Sequence, residues 1–326
     1  MTQHSASAPQ GPMDGPGSIA RYIRVIGRGK DGARSLDDAQ AHDLMSQLLD
    51  GRLSDLEIGA FALAMRIKGE SVAELGGFLR AVHERCLALP ERQRTQRPRV
   101  LLPSYNGARK LPNLAPLLAL LLAREGVDVL LHGPLLDAGR VASAQIVAAL
   151  GLPMCSDAAQ VEAAWARREP AFMAIDTLCA PLAELLAVRR VVGLRNSGHT
   201  LAKLLAPLPG ALRLVSFTHP EYAALLGDFL ARERADAMLL RGTEGEAVAD
   251  ARRLPALRVF IAGVLREELG HAGQGGALAV LPELPREIDA TTTAGYTRQV
   301  LAGSQPLPAP IALQVAAIRQ ALAALR

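Results

Sequence analysis

The residues best placed to do chemistry in this chain are Ser104, Tyr105, Asn106 and Gly107, followed after Ala108 by the adjacent cations Arg109 and Lys110. They lie between a short apolar run, 100–102, and a Leu-rich run, 113–125, a spacing that predicts strand, loop and helix in that order. Free backbone N–H groups and the helix dipole make such a junction a natural holder of anions. Phosphate cradles built there usually contain several glycines. This one has Gly107 for the turn and two cations beside it, and it reads as a phosphate site rebuilt for binding.

The elements around the loop follow from pattern. Residues 19–90 read as helical throughout, with S-x-x-[DE] start signals at Ser35, Ser54 and Ser71 and stop glycines at Gly51 and Gly69. The apolar positions of this segment fall on single helix faces, which predicts a small bundle. A polar connector, 92–99, separates it from residues 91–326, where short apolar runs (100–102, 127–131, 172–175, 212–217, 237–240) alternate with helical stretches (113–125, 139–150, 220–232, 311–325). That alternation predicts an α/β domain with a mostly parallel sheet flanked by helices. Residues 270–286, rich in Gly and Pro, read as a surface loop, and residues 1–18 as a flexible leader without a secretory signal. The longest apolar run, 114–123, is interrupted by Pro116 and is too short to span a bilayer, so no membrane role is expected.

Charge is distributed unevenly. The net charge is +4, and three stretches hold cations almost without acids. Arg21, Arg24, Arg28 and Lys30 form the first; a single helix would place Arg21, Arg24 and Arg28 on one face and Tyr22, Ile23 and Ile26 on the other. The second, 92–124, includes Arg109 and Lys110, and the third, 185–220, includes Arg189, Arg195 and Lys203. If they join, they make an extended surface for phosphate backbones. Aromatics are 3% of the chain, and only Tyr22 and Tyr105 lie within these stretches. Charge-driven binding with little base readout is therefore expected. Cys86, Cys155 and Cys179 are widely spaced with no C-x-x-C pair, which points to a reducing cytoplasm and to neither a disulfide framework nor a zinc site.

Residues 36–71, ending in Arg66-Ile67-Lys68-Gly69-Glu70, resemble the N-terminal domain of the anthranilate phosphoribosyltransferase family, and the resemblance continues to the C-terminus. The strings I-G-R-G-K (26–30), P-S-Y-N-G-A-R-K (103–110), R-N-S-G-H-T-L-A-K-L (195–204), H-P-E-Y (219–222), G-T-E-G-E (242–246) and L-A-G-S (301–304) resemble its YbiB-type subgroup, described as nucleic-acid-binding. The family resemblance implies the class IV phosphoribosyltransferase fold, also shared by the related nucleoside phosphorylases, and dimerisation through the helical domain. It also marks departures. The family's G-T-G-G-D pyrophosphate loop is replaced by residues 104–108. Its K-H-G-N-R motif is reduced to His132-Gly133 with flanking apolar residues, His132 being expected as a loop histidine with a hydrogen-bonding role. Its metal-holding Asp-Glu pair has no aligned carboxylates, leaving Glu244 and Glu246 as magnesium candidates only if their loop is reshaped.

Three functions stay open on these residues. One is a catalytically silent scaffold that binds single-stranded DNA or RNA without sequence preference, as a homodimer and with no cofactor. Another is an active glycosyl or phosphoribosyl transferase of altered substrate, using Mg²⁺ and phosphoribosyl pyrophosphate. The last is a small-molecule binder. For the first, the cations expected to act are Arg21, Arg24, Arg28, Lys30, Arg109, Lys110, Arg195 and Lys203.

Overall fold

The computed structural model describes residues 19–89 and 97–325; the expected leader and most of the polar connector, with Arg92 and Arg94, lie outside them. The helical part comprises α1 (Ala20–Ile26), α2 (Gly29–Gly32), α3 (Asp38–Leu49), α4 (Asp55–Lys68) and α5 (Val72–His83). Ser54 with Glu57 and Ser71 with Glu74 form capping boxes as the sequence predicts. The third start is shifted: Asp37, paired with Gln40, caps α3 instead of Ser35. The single basic helix expected through Arg28 is also broken. Helix α1 ends at Ile26, and Arg28 caps α2.

The second part follows the order β1 (Arg99–Pro103), α6 (Ala115–Arg124), β2 (Asp128–Gly133), α7 (Ser143–Leu150), β3 (Met154–Cys155), α8 (Ala158–Ala166), β4 (Ala171–Ala174), α9 (Ile175–Leu178), α10 (Ala180–Ala187), α11 (Arg189–Val192), α12 (Gly198–Leu204), β5 (Leu212–Phe217), α13 (Tyr222–Arg232), β6 (Ala237–Arg241), β7 (Leu257–Ile261), β8 (Val264–Leu265), α14 (Ala290–Leu301) and α15 (Ala309–Ala324). The strands form one sheet in the order β3-β4-β2-β1-β5-β6-β7-β8. The first six are parallel and the last two pairings antiparallel. Strands β1 and β2 are buried along their whole length, because helices cover both faces of the sheet.

Two apolar cores result. One joins the helical bundle to one sheet face, running from Tyr22, Phe61 and Phe78 to Leu101, Tyr105, Leu130 and Phe229. The other packs α6, α7, α14 and α15 on the opposite face. The chain builds β1, β2, β3 and β4 to one side of β1, then returns to lay β5 on the other. The order reverses between β1 and β5, and in such sheets ligands bind outside the strand ends at that point. Among the described residues, no helix is long and apolar enough to cross a membrane.

Candidate anion loop and cationic cleft

The site forms where β1, β5 and β6 end. The Ser104 N–H donates to the His132 carbonyl (2.9 Å), extending the β1–β2 register and turning Tyr105 inward. There its hydroxyl meets His132 Nδ1 at 2.7 Å, with the rings edge to face. His132 is fully buried on β2, so it is a strand residue and not the loop histidine expected; burial drives its pKa down to about 3 and keeps it neutral. Its hydrogen-bonding role holds. Gly133 is needed here, since a Cβ would lie 2.0 Å from the Ser104 carbonyl oxygen. Ser104 and Asn113 both donate to the Ser143 hydroxyl, at 2.7 and 3.0 Å.

The loop does bind anions, and they are the chain's own. Glu246, buried, accepts from the N–H groups of Asn106 (2.7 Å) and Gly107 (2.6 Å) through Oε1. Glu244 Oε2 accepts from the N–H groups of Arg109 (2.8 Å), Lys110 (3.0 Å) and Leu111 (3.2 Å). The β6 turn is locked onto the loop by Asn106, whose side chain donates to the Glu244 carbonyl (2.7 Å). Gly245, at φ +92°, makes this approach possible: a Cβ would lie 1.7 Å from Asn106 Nδ2. Burial is the largest influence on both carboxyls and raises Glu246 above its ordinary range. At Glu244 the three amides and Arg140 outweigh burial, and its carboxyl sits below that range. As arranged, these two carboxylates do not fit a magnesium site: Glu246 Oε1 and Glu244 Oε2 serve backbone amides, and Glu246 Oε2 is buried without a hydrogen-bond partner. Among the described residues, no group of three or more His, Cys, Asp and Glu is placed to hold a metal.

Beside the loop, a cleft of about 600 Å³ opens between the end of α4 and the sheet edge. Arg66, Arg140, Arg195 and Lys203 line it together with His199 and Glu70. Helix α12 supplies a stripe, with His199, Thr200 and Lys203 on one face. Arg195 donates to Asn106 Oδ1 (2.6 Å) and so ties the cleft to the loop. Burial lowers Lys203 to about 8, partly opposed by Glu246 and reinforced by Arg195 and Arg140. Burial, with help from Arg195 and Arg189, takes His199 down to about 3, leaving it uncharged at neutral pH.

The expected cations therefore separate into groups. Arg195 and Lys203 meet in the cleft, while Arg109 and Lys110 are exposed on the adjoining loop. Arg21, Arg24 and Arg28 are exposed on α1 and at the start of α2 and do not line the cleft; Lys30 belongs to α2. Stretches that lack acids in sequence gain them through folding. Arg21 pairs with Asp43 (3.0 Å), Arg97 with Asp128 (2.9 Å) and Arg189 with Asp137 (3.2 Å). Both tyrosines of the basic stretches are buried and offer no stacking face. Sequence reasoning passed over Arg66 and Arg140. Arg140 escapes a search for acid-free stretches because Asp137 lies three residues before it; it reaches the anion loop because the next residue, Val141, pairs with Ala108.

Comparison with known proteins agrees with this architecture. Residues 21–86 match the helical-bundle domain of a glycosyl transferase family. The YbiB protein of Escherichia coli (strain K12) is 39% identical over 301 residues, covering 91% of this chain and 92% of its own. The anthranilate phosphoribosyltransferase of Synechococcus sp. (strain JA-3-3Ab) is 27% identical over 300 residues, covering 87% and 84%. In structure, the anthranilate phosphoribosyltransferase of Thermus thermophilus superposes with a TM-score of 0.68 at 22% identity, over 94% of this chain and 92% of that one. The Saccharomyces cerevisiae enzyme, solved with phosphoribosyl pyrophosphate and Mg, gives 0.67 at 14% identity, over 94% and 87%. The fold and site thus define an anthranilate phosphoribosyltransferase-like scaffold. The chain belongs to this glycosyl transferase family, and YbiB is a relative along nearly its whole length.

Proposed function

We propose that this protein binds nucleic acid through charge, with little sequence preference, on a phosphoribosyltransferase-like scaffold that no longer transfers a phosphoribosyl group. The observation that carries this reading is the filled loop. Five backbone amides that could have wrapped a pyrophosphate instead hold Glu244 and Glu246. Cations on either side keep their side chains outward or cleft-facing: Arg109 and Lys110 on the loop, Arg66, Arg140, Arg195 and Lys203 in the cleft. Stabilising a leaving pyrophosphate requires donors aimed at it, and these are engaged; holding a phosphodiester backbone requires only exposed charge. The reading needs neither magnesium nor another cofactor. Its compartment is a reducing cytoplasm, a reading that three free cysteines support.

A second copy of the chain is the proposed further partner. Leu56, Leu63 and Ile67 lie along α4 at i, i+7 and i+11 and are 83%, 48% and 55% exposed. A stripe of that kind on an otherwise capped and packed bundle fits a dimer seam, and two cleft surfaces on one strand would gain avidity. Anisotropy of a labelled single-stranded oligonucleotide at rising salt tests the principal reading. Binding at low salt that weakens by a log–log slope of about −0.7 per phosphate contact is expected; absent or salt-indifferent binding overturns it.

A further inference from the structure

Cys86 and Cys179 are 93 positions apart in the chain and belong to different parts of the fold, yet they are neighbours. Cys86 follows α5, the last helix of the bundle, and Cys179 sits between α9 and α10 on the sheet domain. The Leu87 N–H donates to the Leu178 carbonyl at 2.8 Å, so the two segments run side by side. Both thiols turn to one acceptor, the Val82 carbonyl, at 3.4 Å for Cys86 and 3.8 Å for Cys179. Cys86 is half-buried and Cys179 fully buried, and both are free thiols.

We infer that Cys86 and Cys179 are a redox modification site, closing to a reversible disulfide that staples the helical bundle to the sheet domain behind the anion loop. The co-reactant is a two-electron oxidant of the hydroperoxide class. Cys86 is the sulfur such an oxidant can reach. The Cys179 sulfur and burial hold the Cys86 thiol above its ordinary range. Its proton therefore passes by way of Cys179 to the leaving oxygen as the Cys86 sulfur attacks the peroxide O–O bond, giving a sulfenic acid and the reduced leaving group (water when the oxidant is hydrogen peroxide). Cys179 then attacks the Cys86 sulfur, the S–S bond forms, and the sulfenic oxygen leaves as water. Overall, two thiols lose two protons and two electrons, and hydrogen peroxide becomes two waters. The surroundings favour Cys179 as the attacking group. The Cys86 thiol hydrogen-bonds to it and, with the Leu182 N–H and Arg85, holds it below its ordinary range against the opposing effect of burial. A thiolate is the competent nucleophile in such exchange.

The location gives the staple a consequence. Both sulfurs act electrostatically on Tyr105, whose hydroxyl bonds His132 and whose chain neighbour Asn106 engages Glu246. Closing the disulfide joins the bundle to the sheet behind Tyr105, while the cleft lies between those same two parts. Cys155, buried on β3, is a built-in control. This inference stands apart from the nucleic-acid reading, since its test counts thiols.

The test exposes the folded full-length chain to hydrogen peroxide, alkylates under denaturing conditions and maps the peptides by mass spectrometry. One alkylatable thiol in place of three is expected, with a Cys86–Cys179 cross-linked peptide, a mass lower by two hydrogens and full reversal by dithiothreitol. Cys155→Ser should still close the bridge, and Cys86→Ser should abolish it. Should a serine variant fail to fold, the cross-linked peptide from the unmodified chain decides alone. Retention of all three thiols in the folded chain, or links that involve Cys155 or join separate chains, overturns the proposal.

Discussion

The loop 104–111 and the wall formed by Arg195 and α12 face the same cleft but treat negative charge in opposite ways. The loop binds it internally: five amides are closed by Glu244 and Glu246. The wall presents positive charge to the cleft, with Arg195 held by a neutral side-chain oxygen and Lys203 in the cleft beside Arg140. Neither Lys203 nor Arg140 has a carboxylate ion-pair partner among the described residues. On the proposed reading, two anion sites thus separate into a structural one, the loop, and an available one, the cleft. A buried amide without an acceptor is costly, whereas a cation at a cleft keeps part of its water.

Substitutions that exchange the behaviour of the two regions should have effects of graded size. Glu246→Ala strands the amides of Asn106 and Gly107 and should destabilise the fold by about 2–4 kcal/mol, read by chemical denaturation. Inorganic phosphate should then raise the unfolding midpoint of the variant more than that of the unmodified protein. Equal responses would mean that the loop is not an anion site. Glu246→Gln keeps the accepting oxygen and should lose less than about 1 kcal/mol.

Acid should act on the buried histidines next. His132, at about 3, and His83, lowered to about 4 by burial and by Arg213, bind protons more weakly folded than unfolded. Their contribution to stability is full above the unfolded value near 6.5 and is lost as pH falls toward the folded values. Each should remove about 2 kcal/mol between pH 7 and pH 5, and a flat denaturation profile over that interval would contradict their buried, neutral state.

Smaller effects are expected at the cations of the loop surface and the wall. Lys110→Ala and Lys203→Met should each reduce oligonucleotide affinity by about 3- to 10-fold at low salt and make the salt slope shallower by about 0.7. Because Lys203 titrates near 8 among Glu246, Arg195 and Arg140, its charge is present at pH 7 and lost as pH rises through 8. Affinity should fall between pH 7 and pH 9 in the unmodified chain, and less so in Lys203→Met. Leu56→Lys should shift the sedimenting species from dimer to monomer and remove the avidity of two clefts on one strand.

Much of the fold was legible because it is written locally. Ser54 and Ser71 announced their helices through partners three residues on, and the strand at 212–217 was marked by its apolar run. The loop's place at the end of β1 was legible too. Its filling was not, since Asn106 and Glu246 lie 140 positions apart and their bond depends on Gly245 letting two turns touch. Shorter separations in sequence likewise hid the pairing of Arg97 with Asp128 and of Arg21 with Asp43. Acid-free stretches were therefore a poor guide to free charge. Cooperation between Arg195 and Asn106 likewise appears only once the strand order reverses between β1 and β5.

The division between a closed loop and an open wall is tested most directly by one pair of titrations in the same calorimeter. Pyrophosphate with magnesium is added to one sample of the unmodified protein and a single-stranded oligonucleotide to another. No saturable heat from pyrophosphate, together with oligonucleotide binding that weakens steeply with salt, is the predicted result. Saturable, magnesium-dependent pyrophosphate binding, with no response to the oligonucleotide, would contradict it.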